Sequence, residues 1–374
     1  MLVRSLEAVG FRNIERASLT FSDSFNFITG LNAEGKTNLL EAIHLFSLGR
    51  SFRTRNTQEA IAFGAEYFFL RLAGVSDGGV EFTIEVGVER GGRVRVSADG
   101  RKLSGVGEII GIIPSVLFVP EDVALAAGPP RLRRVFMDYT AAQISPEFLA
   151  DLKGYHVILR NRNALLRTIA DGRGNRGELD AWDDMLVERG AAVVRGRGEV
   201  LDEVLRHAGE LCTELLPEGE SLDMRYVCSF NEEGIEPERA LRNALTRCRD
   251  GEARRGYTLA GPHYDDVMIY LGETELRRFG SQGRKRLTAV ILKLAQAQAI
   301  MSRRAERPVV LLDDIFSELD GETSGRVRGV LSDRYQSFVT SPRRDDFAGY
   351  RRDGACFVVE GGRFRTVDER GRSA

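Results

Sequence analysis

Residues Gly30-Leu31-Asn32-Ala33-Glu34-Gly35-Lys36-Thr37 fit G-x-x-x-x-G-K-[ST], and their setting constrains this chain more than any other feature. Phe25-Asn26-Phe27-Ile28-Thr29 reads as a short buried strand running into Gly30. After the loop, Leu39, Leu40, Ile43, Leu45 and Phe46 recur at the spacing of a buried helix. Strand, glycine loop and helix in that order make a cradle for a phosphate chain. The glycines let the backbone wrap closely, so that several N–H groups converge on one anion. The helix N-terminus adds its dipole. Lys36 brings a mobile cation to the β/γ oxygens, and the Thr37 hydroxyl is a Mg²⁺ ligand. Gly30, Asn32, Gly35, Lys36, Thr37 and Asn38 are the candidate nucleotide-binding residues at this loop.

A second element lies far along the chain. Val310-Leu311-Leu312-Asp313-Asp314 is an apolar run ending in two acids, the form of a strand that delivers carboxylates to a metal. Asp313 is expected to hold the Mg²⁺ water shell, and Asp314 and Lys36 to be catalytic, Asp314 by polarising the attacking water and Lys36 at the β/γ oxygens. Asp is one methylene shorter than the Glu usual at such a base position, which slows hydrolysis. A third element is Phe279-Gly280-Ser281-Gln282-Gly283-Arg284-Lys285-Arg286. Ser281 suits an N-cap and Gly283 falls in the first helical turn, so Ser281, Gln282 and Gly283 form a second anion site at a helix N-terminus. Three cations in a first turn oppose the helix dipole, which points to an anionic partner.

The rest of the chain supplies the frame. Phe68–Leu72, Val80–Val86 and Val94–Val96, with Asp99-Gly100 as a hairpin turn, read as antiparallel sheet. Apolar residues at helical spacing over 141–216, broken by the glycine-rich run 171–177, predict two long helices packed antiparallel. Residues 222–279 return to strand patterning, 285–304 form one helix, and 308–312, 337–340 and 356–359 are strands. The expectation is an α/β body, a mixed sheet around the phosphate-loop helix, with an inserted mainly helical lobe. At 374 residues the chain exceeds what one core usually serves, so two lobes are expected: 1–120 with 300–374, and 121–299.

Composition narrows the function classes. With 53 basic and 55 acidic residues the net charge is −2, so any nucleic-acid contact must come from local patches on a neutral body. Candidates are Arg131-Leu132-Arg133-Arg134, Arg160-Asn161-Arg162, Arg343-Arg344 and Arg351-Arg352. No run approaches the ~18 apolar residues of a membrane span. The start Met1-Leu2-Val3-Arg4-Ser5 lacks a basic segment followed by an apolar one. Cys212, Cys228, Cys248 and Cys356 are far apart, without a zinc or disulfide spacing, and His44, His156 and His207 have no partner at metal spacing. A cytoplasmic protein is expected.

These motifs, in this order, resemble the ABC-type ATPase heads of chromosome-maintenance (SMC) proteins and their repair relatives, most closely the bacterial RecF family. The matching stretches are GLNAEGKTNLLEAI (30–43), Ser51-Phe52-Arg53-Thr54, Phe118-Val119-Pro120-Glu121-Asp122, Gly261-Pro262-His263-Tyr264-Asp265-Asp266, GSQGRKR (280–286) and LLDDIFSELD (311–320). They cover nearly the whole chain, and the long coiled coils of the larger relatives are absent.

The resemblance implies an ABC-ATPase head with an inserted helical lobe. It also implies two heads sandwiching two ATP molecules, with Lys36 of one facing Ser281 of the other. Ser317-Glu318-Leu319-Asp320 resembles the loop that crosses this interface, and Glu121 resembles the segment linking the nucleotide site to the helical lobe. Tyr264 stands where the family has Arg, and Arg284-Lys285 where it has Gln-Gln. Thr340-Ser341 is the nearest match to the switch, before Pro342-Arg343-Arg344 departs from it. The implied activity is a weak, DNA-stimulated ATPase acting as a switch: an ATP-dependent homodimer that clamps single- and double-stranded, gapped DNA and helps load RecA with RecO and RecR, with no membrane role. Two alternatives remain at this point. A P-loop metabolite kinase needs an acceptor pocket and has no use for Ser281-Gln282-Gly283. A transporter ATPase subunit needs a membrane partner and usually Glu in place of Asp314.

Overall fold

The computed structural model describes residues 1–367 except Arg55, Arg93, Glu218, Asp333 and 344–353, and the side chain of Glu318. The chain divides into two compact units, Met1–Asp122 with Val290–Ala374, and Val123–Ala289.

The first unit opens with β1 (Leu2–Phe11), β2 (Ile14–Thr20), β3 (Phe25–Thr29) and α1 (Lys36–Leu48). β4 (Tyr67–Val75), β5 (Glu81–Glu89), β6 (Val94–Ala98), β7 (Arg101–Lys102) and β8 (Ser115–Phe118) follow. One sheet has the order β2-β1-β4-β5-β6-β7, and every pairing in it is antiparallel. Its strands alternate as a half-buried sheet must: Phe68, Leu70 and Leu72 of β4 and Ile84, Val86 and Val88 of β5 are buried, and their neighbours face away. Asp99 and Gly100 both have positive φ, the backbone that a tight two-residue hairpin demands.

The second unit is α2 (Val123–Ala127), α3 (Pro130–Ile144), α4 (Pro146–Ala170), α5 (Leu179–Leu215), β9 (Leu222–Val227), α6 (Pro237–Arg255), β10 (Asp266–Leu271), β11 (Thr274–Glu275) and α7 (Leu276–Phe279). α8 (Gln282–Arg304) begins in this unit and ends in the first. α4 and α5 run antiparallel, since Asp151 pairs with Arg189 and Arg162 with Asp183. One expectation needs correction. Residues 222–279 are not uniformly strand-like, because α6 fills 19 of them. Pro at its first turn, buried Ala240, Leu241, Ala244 and Leu245, and the left-handed Gly256 closing it are ordinary helix signals.

The chain returns to the first unit with β12 (Val309–Asp313), α9 (Gly321–Ser332), β13 (Ser337–Ser341), β14 (Gly354–Glu360) and β15 (Arg363–Val367). The second six-stranded sheet has the order β15-β14-β3-β13-β12-β8. All neighbours in it are parallel except β14 and β15, so the sheet is mixed. Val309 to Leu312, Phe25 to Thr29 and Ser337 to Ser341 are buried without alternation, as expected of strands covered on both faces. The apolar core joins the two sheets through α1, whose Leu39, Leu40, Ile43, Leu45 and Phe46 are all buried. Among the described residues, no helix is long and apolar enough to cross a membrane.

Candidate phosphate and metal site

The parallel sheet carries the site at one end. β13 lies between β3 and β12, so the loop leaving β3 and the two acids ending β12 flank the end of β13. Gly35, with φ 116° and ψ 8°, is the N-cap of α1, which has no side-chain cap and no acid in its first turn. Its first amides are therefore left for an anion, and its dipole favours one. A side chain at Gly35 would meet Asn13 Oδ1 at 2.6 Å, so glycine is required both for the backbone angle and for the space.

Lys36 is buried, and its Nζ donates to the carbonyls of Gly30 and Leu31 at 2.7 and 2.8 Å. Burial lowers its pKa, and the charges of Asp314, Asp313 and Glu34 oppose that shift. Thr37 Oγ1 donates to Asp313 at 2.8 Å, and Thr340 Oγ1, from β13, donates to the same carboxylate at 2.7 Å. Burial raises the Asp313 pKa and neighbouring Asp314 adds to the rise, while the Thr340 and Thr37 hydroxyls and Lys36 work against it. Asp314 has φ 52°, its N–H donates to Thr340 Oγ1 at 2.9 Å, and its buried Oδ1 has no hydrogen-bond partner.

These features fit a hard divalent cation. The donors are oxygens, two carboxylates are adjacent and half-buried, and one carboxylate oxygen is left unsatisfied. Mg²⁺ would be held by Thr37 and Asp313, and would neutralise the acid pair while polarising a phosphate.

Residues that local reasoning does not single out complete the cradle. Asn13, in the β1–β2 turn, donates from Nδ2 to Glu34 O at 2.9 Å and accepts from Asn38 Nδ2 at 2.7 Å. Gly362, in the β14–β15 turn, donates its N–H to Glu34 O at 2.9 Å, and the Gly361 N–H reaches the Glu34 carboxylate. Arg53 donates to Asn38 Oδ1 at 2.8 Å, and Arg12 and Ser51 hold the fully buried Glu41 of α1. Ser51-Phe52-Arg53-Thr54 is the one sequence signal for part of this ring; Asn13 and Gly362 carried none.

The structure thus gathers Gly30, Lys36, Thr37, Asn38, Asp313 and Asp314, while Asn32 is exposed on the loop. Ser281, Gln282 and Gly283 belong to the other unit, where they are exposed at the start of α8. Ser281 Oγ accepts from the Arg284 N–H at 3.3 Å, as an N-cap does, and the Arg284 side chain pairs with Glu220. Asp320 caps α9 by accepting from the Thr323 N–H at 2.8 Å, and Ser317 donates to the Asp314 carbonyl. Glu121 lies in an exposed 3-10 turn, next to Asp122, which pairs with Lys293 at 3.0 Å.

The basic clusters need revision. Arg133 is buried against Asp266 and Arg162 is fully buried between Asp183 and Glu252, so neither meets a phosphate. Arg134 donates to the Asp265 carbonyl. Arg131 and Arg160 remain exposed, as does Arg343. Arg344, Arg351 and Arg352 lie outside the described residues. The stretch Gly261–Asp266 is an internal brace of the helical unit. Asp265 is fully buried and accepts from Tyr226 Oη and the Ser229 N–H, and Tyr155 Oη lies 2.6 Å from His263 Nδ1. Tyr264 is half-exposed and donates to the Thr258 carbonyl.

Comparison with known proteins agrees with this architecture. The family model of the RecF/RecN/SMC N-terminal domain matches residues 2–362. The DNA replication and repair protein RecF of Caldanaerobacter subterraneus subsp. tengcongensis is 33% identical over 366 residues, 97% of this chain and 99% of that protein. RecF of Bacillus subtilis is 33% identical over 369 residues, 96% and 99% of the two chains. The solved structure of the recombination mediator RecF with ATP, from the RecFOR pathway, superposes with a TM-score of 0.91 at 32% identity, covering 98% of this chain and 97% of that one. An Smc head bound to the C-terminal winged-helix domain of ScpA shares the fold at 19% identity, with a TM-score of 0.59. The fold is that of an ABC-type ATPase head carrying a helical lobe, and the chain belongs to the RecF family of DNA replication and repair proteins.

Proposed function

We propose that this chain is an ATP-dependent DNA-binding protein of recombinational repair, a switch driven by slow ATP hydrolysis. The observation that carries the reading is the joined cluster of Thr37, Asp313 and Asp314 beside the uncapped N-terminus of α1. The amides of α1 and Lys36 bind the triphosphate. Asp314 accepts a proton from the attacking water, using the oxygen that has no partner in the fold. Thr340, bridging Asp313 and the Asp314 N–H, positions both acids. Mg²⁺ supplies charge neutralisation when bound.

The resemblance to RecF extends the proposal. Residues 1–120 with 300–374 form the ATPase lobe, and 121–299 the lobe that presents Ser281-Gln282-Gly283 to the nucleotide of a second copy. The exposure of these three residues supports that reading. A ligand shared across an interface holds the dimer only while its γ-phosphate is present. The dimer clamps DNA at gaps or duplex–single-strand junctions, and RecO, RecR and RecA are the expected partners in a cytoplasmic setting.

Sedimentation with and without ATP and gapped DNA tests the whole. A dimer that forms with ATP, is lost in Lys36→Arg and in Ser281→Arg, and retains DNA is expected. Loss of ATP binding itself in monomeric Ser281→Arg would refute the arrangement across two copies.

A further inference from the structure

Most exposed arginines of the helical unit are spoken for by acids. Arg176 pairs with Asp250, Arg189 with Asp151, Arg195 with Glu238, Arg242 with Asp184, Arg247 with Glu232 and Arg249 with Asp180. Seven are different: Arg131, Arg239 and Arg277, and then Arg160, Arg167, Arg254 and Arg255. All seven are exposed, and among the described residues none of them has an ion-pair partner.

The last four share one surface. Arg160 and Arg167 are seven residues apart on α4, two turns along one face, and exposed His156 extends that row. Arg254 and Arg255 end α6, and Gly256 after them packs on Arg167, whose Cγ lies 3.3 Å from where a side chain at Gly256 would begin. Thr258 then donates to Asn163 Oδ1 of α4 through both its N–H and its hydroxyl, at 2.8 and 2.7 Å. This stapled segment exposes two aromatic rings. Tyr257 is 44% exposed and Tyr264 45%, and Tyr264 is held by its hydrogen bond to the Thr258 carbonyl. Glu252 is fully buried and bound by Arg162 and the Leu259 N–H, and the exposed Asp171 and Asp250, four residues from Arg167 and Arg254, pair with Arg173 and Arg176. The end of a helix favours cations, which explains Arg254 and Arg255 locally. The same holds for Arg167 in the last turn of α4, but not for Arg160 at the middle of that helix.

We propose that this face of the helical unit binds single-stranded DNA, with the four arginines on successive phosphates and Tyr257 and Tyr264 stacking on unpaired bases. Unpaired cations on a body of net charge −2 are a local site for a polyanion. Exposed aromatics beside them suit a strand whose bases are free, since every base offers a π-face and a closed duplex does not. The inference rests on the DNA-binding reading above and adds which surface and which form of DNA.

The test measures anisotropy of fluorescein-labelled oligo(dT) and of a blunt duplex against salt, on the full chain. Arg160→Gln, Arg167→Gln, Arg254→Gln and Arg255→Gln combined should reduce the salt slope for oligo(dT) by about 3, for four phosphates at ~0.7 each. Tyr257→Ala with Tyr264→Ala should weaken oligo(dT) by about fivefold or more and the duplex less. Unaltered circular dichroism and thermal midpoint establish that each variant is folded. If the unmodified protein binds none of oligo(dT), blunt duplex and gapped DNA, with or without ATP, the repair reading itself fails. If it binds and the arginine variant matches it in affinity and slope, this surface alone is refuted. Equal loss on oligo(dT) and duplex in the tyrosine variant overturns the single-strand assignment. A surface that binds polyglutamate and not oligo(dT) belongs to an acidic protein, which also overturns it.

Discussion

Thr37 Oγ1 and the Asp313 carboxylate meet at 2.8 Å across 276 residues of sequence, one at the start of α1 and the other at the end of β12. The contact ties the phosphate loop to the acid strand within one sheet. Replacing Thr37 by Val keeps the shape and removes the hydroxyl. We expect nucleotide affinity to lose its dependence on Mg²⁺, by about tenfold or more, with thermal stability changed by about 1 kcal/mol. Titration calorimetry with ATP, with and without Mg²⁺, reads the difference; an undiminished Mg²⁺ effect would separate Thr37 from the metal.

Asp314 combines a positive φ with an unsatisfied carboxylate oxygen. Asn tolerates this backbone at least as well as Asp. Asp314→Asn should therefore fold normally, bind ATP and hydrolyse it at least about a hundredfold more slowly. The ATP-bound dimer should persist on DNA. A β-branched residue is a different case: Asp314→Val should cost about 1–2 kcal/mol in denaturant melts through backbone strain. Phosphate release at an unaltered rate from Asp314→Asn would remove it as the base.

Arg162 is completely buried, with Asp183, Glu252 and Thr258 as partners. Its pKa is raised: burial opposes its charge, but the hydrogen bond and charge of Glu252, followed by Asp183, more than compensate. Arg162→Met leaves Glu252 without its cation in the interior, and should destabilise the protein by about 3–5 kcal/mol. Arg162→Met with Glu252→Gln should recover part of that loss. Urea unfolding followed by circular dichroism measures both, and an unaffected single variant would show that the pair contributes little.

His263 is held neutral beside Tyr155, its pKa lowered to about 4, first by burial and then by the charges of Arg134, His156 and Arg197. An unfolded histidine titrates near 6.5, so the unfolded chain takes up more protons than the folded one between pH 6.5 and 4. Stability is complete above pH 6.5 and falls as the pH drops through that window, by up to about 3 kcal/mol for this residue. His44, fully buried with its pKa lowered to about 3, acts in the same direction. Melting curves of His263→Gln against the unmodified chain should show a shallower pH slope, and parallel slopes would assign the acid sensitivity elsewhere.

The phosphate loop and the acid pair were legible because each is a short local pattern. Gly30 to Thr37 carries its strand and helix on either side, and Val310 to Asp314 is a buried strand with its acids attached. Asn13 and Gly362 were not, since an ordinary turn residue becomes part of a site only through tertiary register, and Thr340 entered only through the family resemblance. Arg133 and Arg162 misled for the opposite reason. A run of arginines shows charge, and only the fold shows that Asp266, Asp183 and Glu252 absorb it. α6 was lost among the strands on either side, although Pro237 and the buried alanines and leucines mark it.

The sheet order has a consequence for biosynthesis. β3 emerges early from the ribosome, but both its neighbours, β13 and β14, and the hairpin tip that holds Glu34, are made from residue 337 onward. A nascent polypeptide is therefore extended by more than 300 residues beyond β3 before its triphosphate cradle has walls.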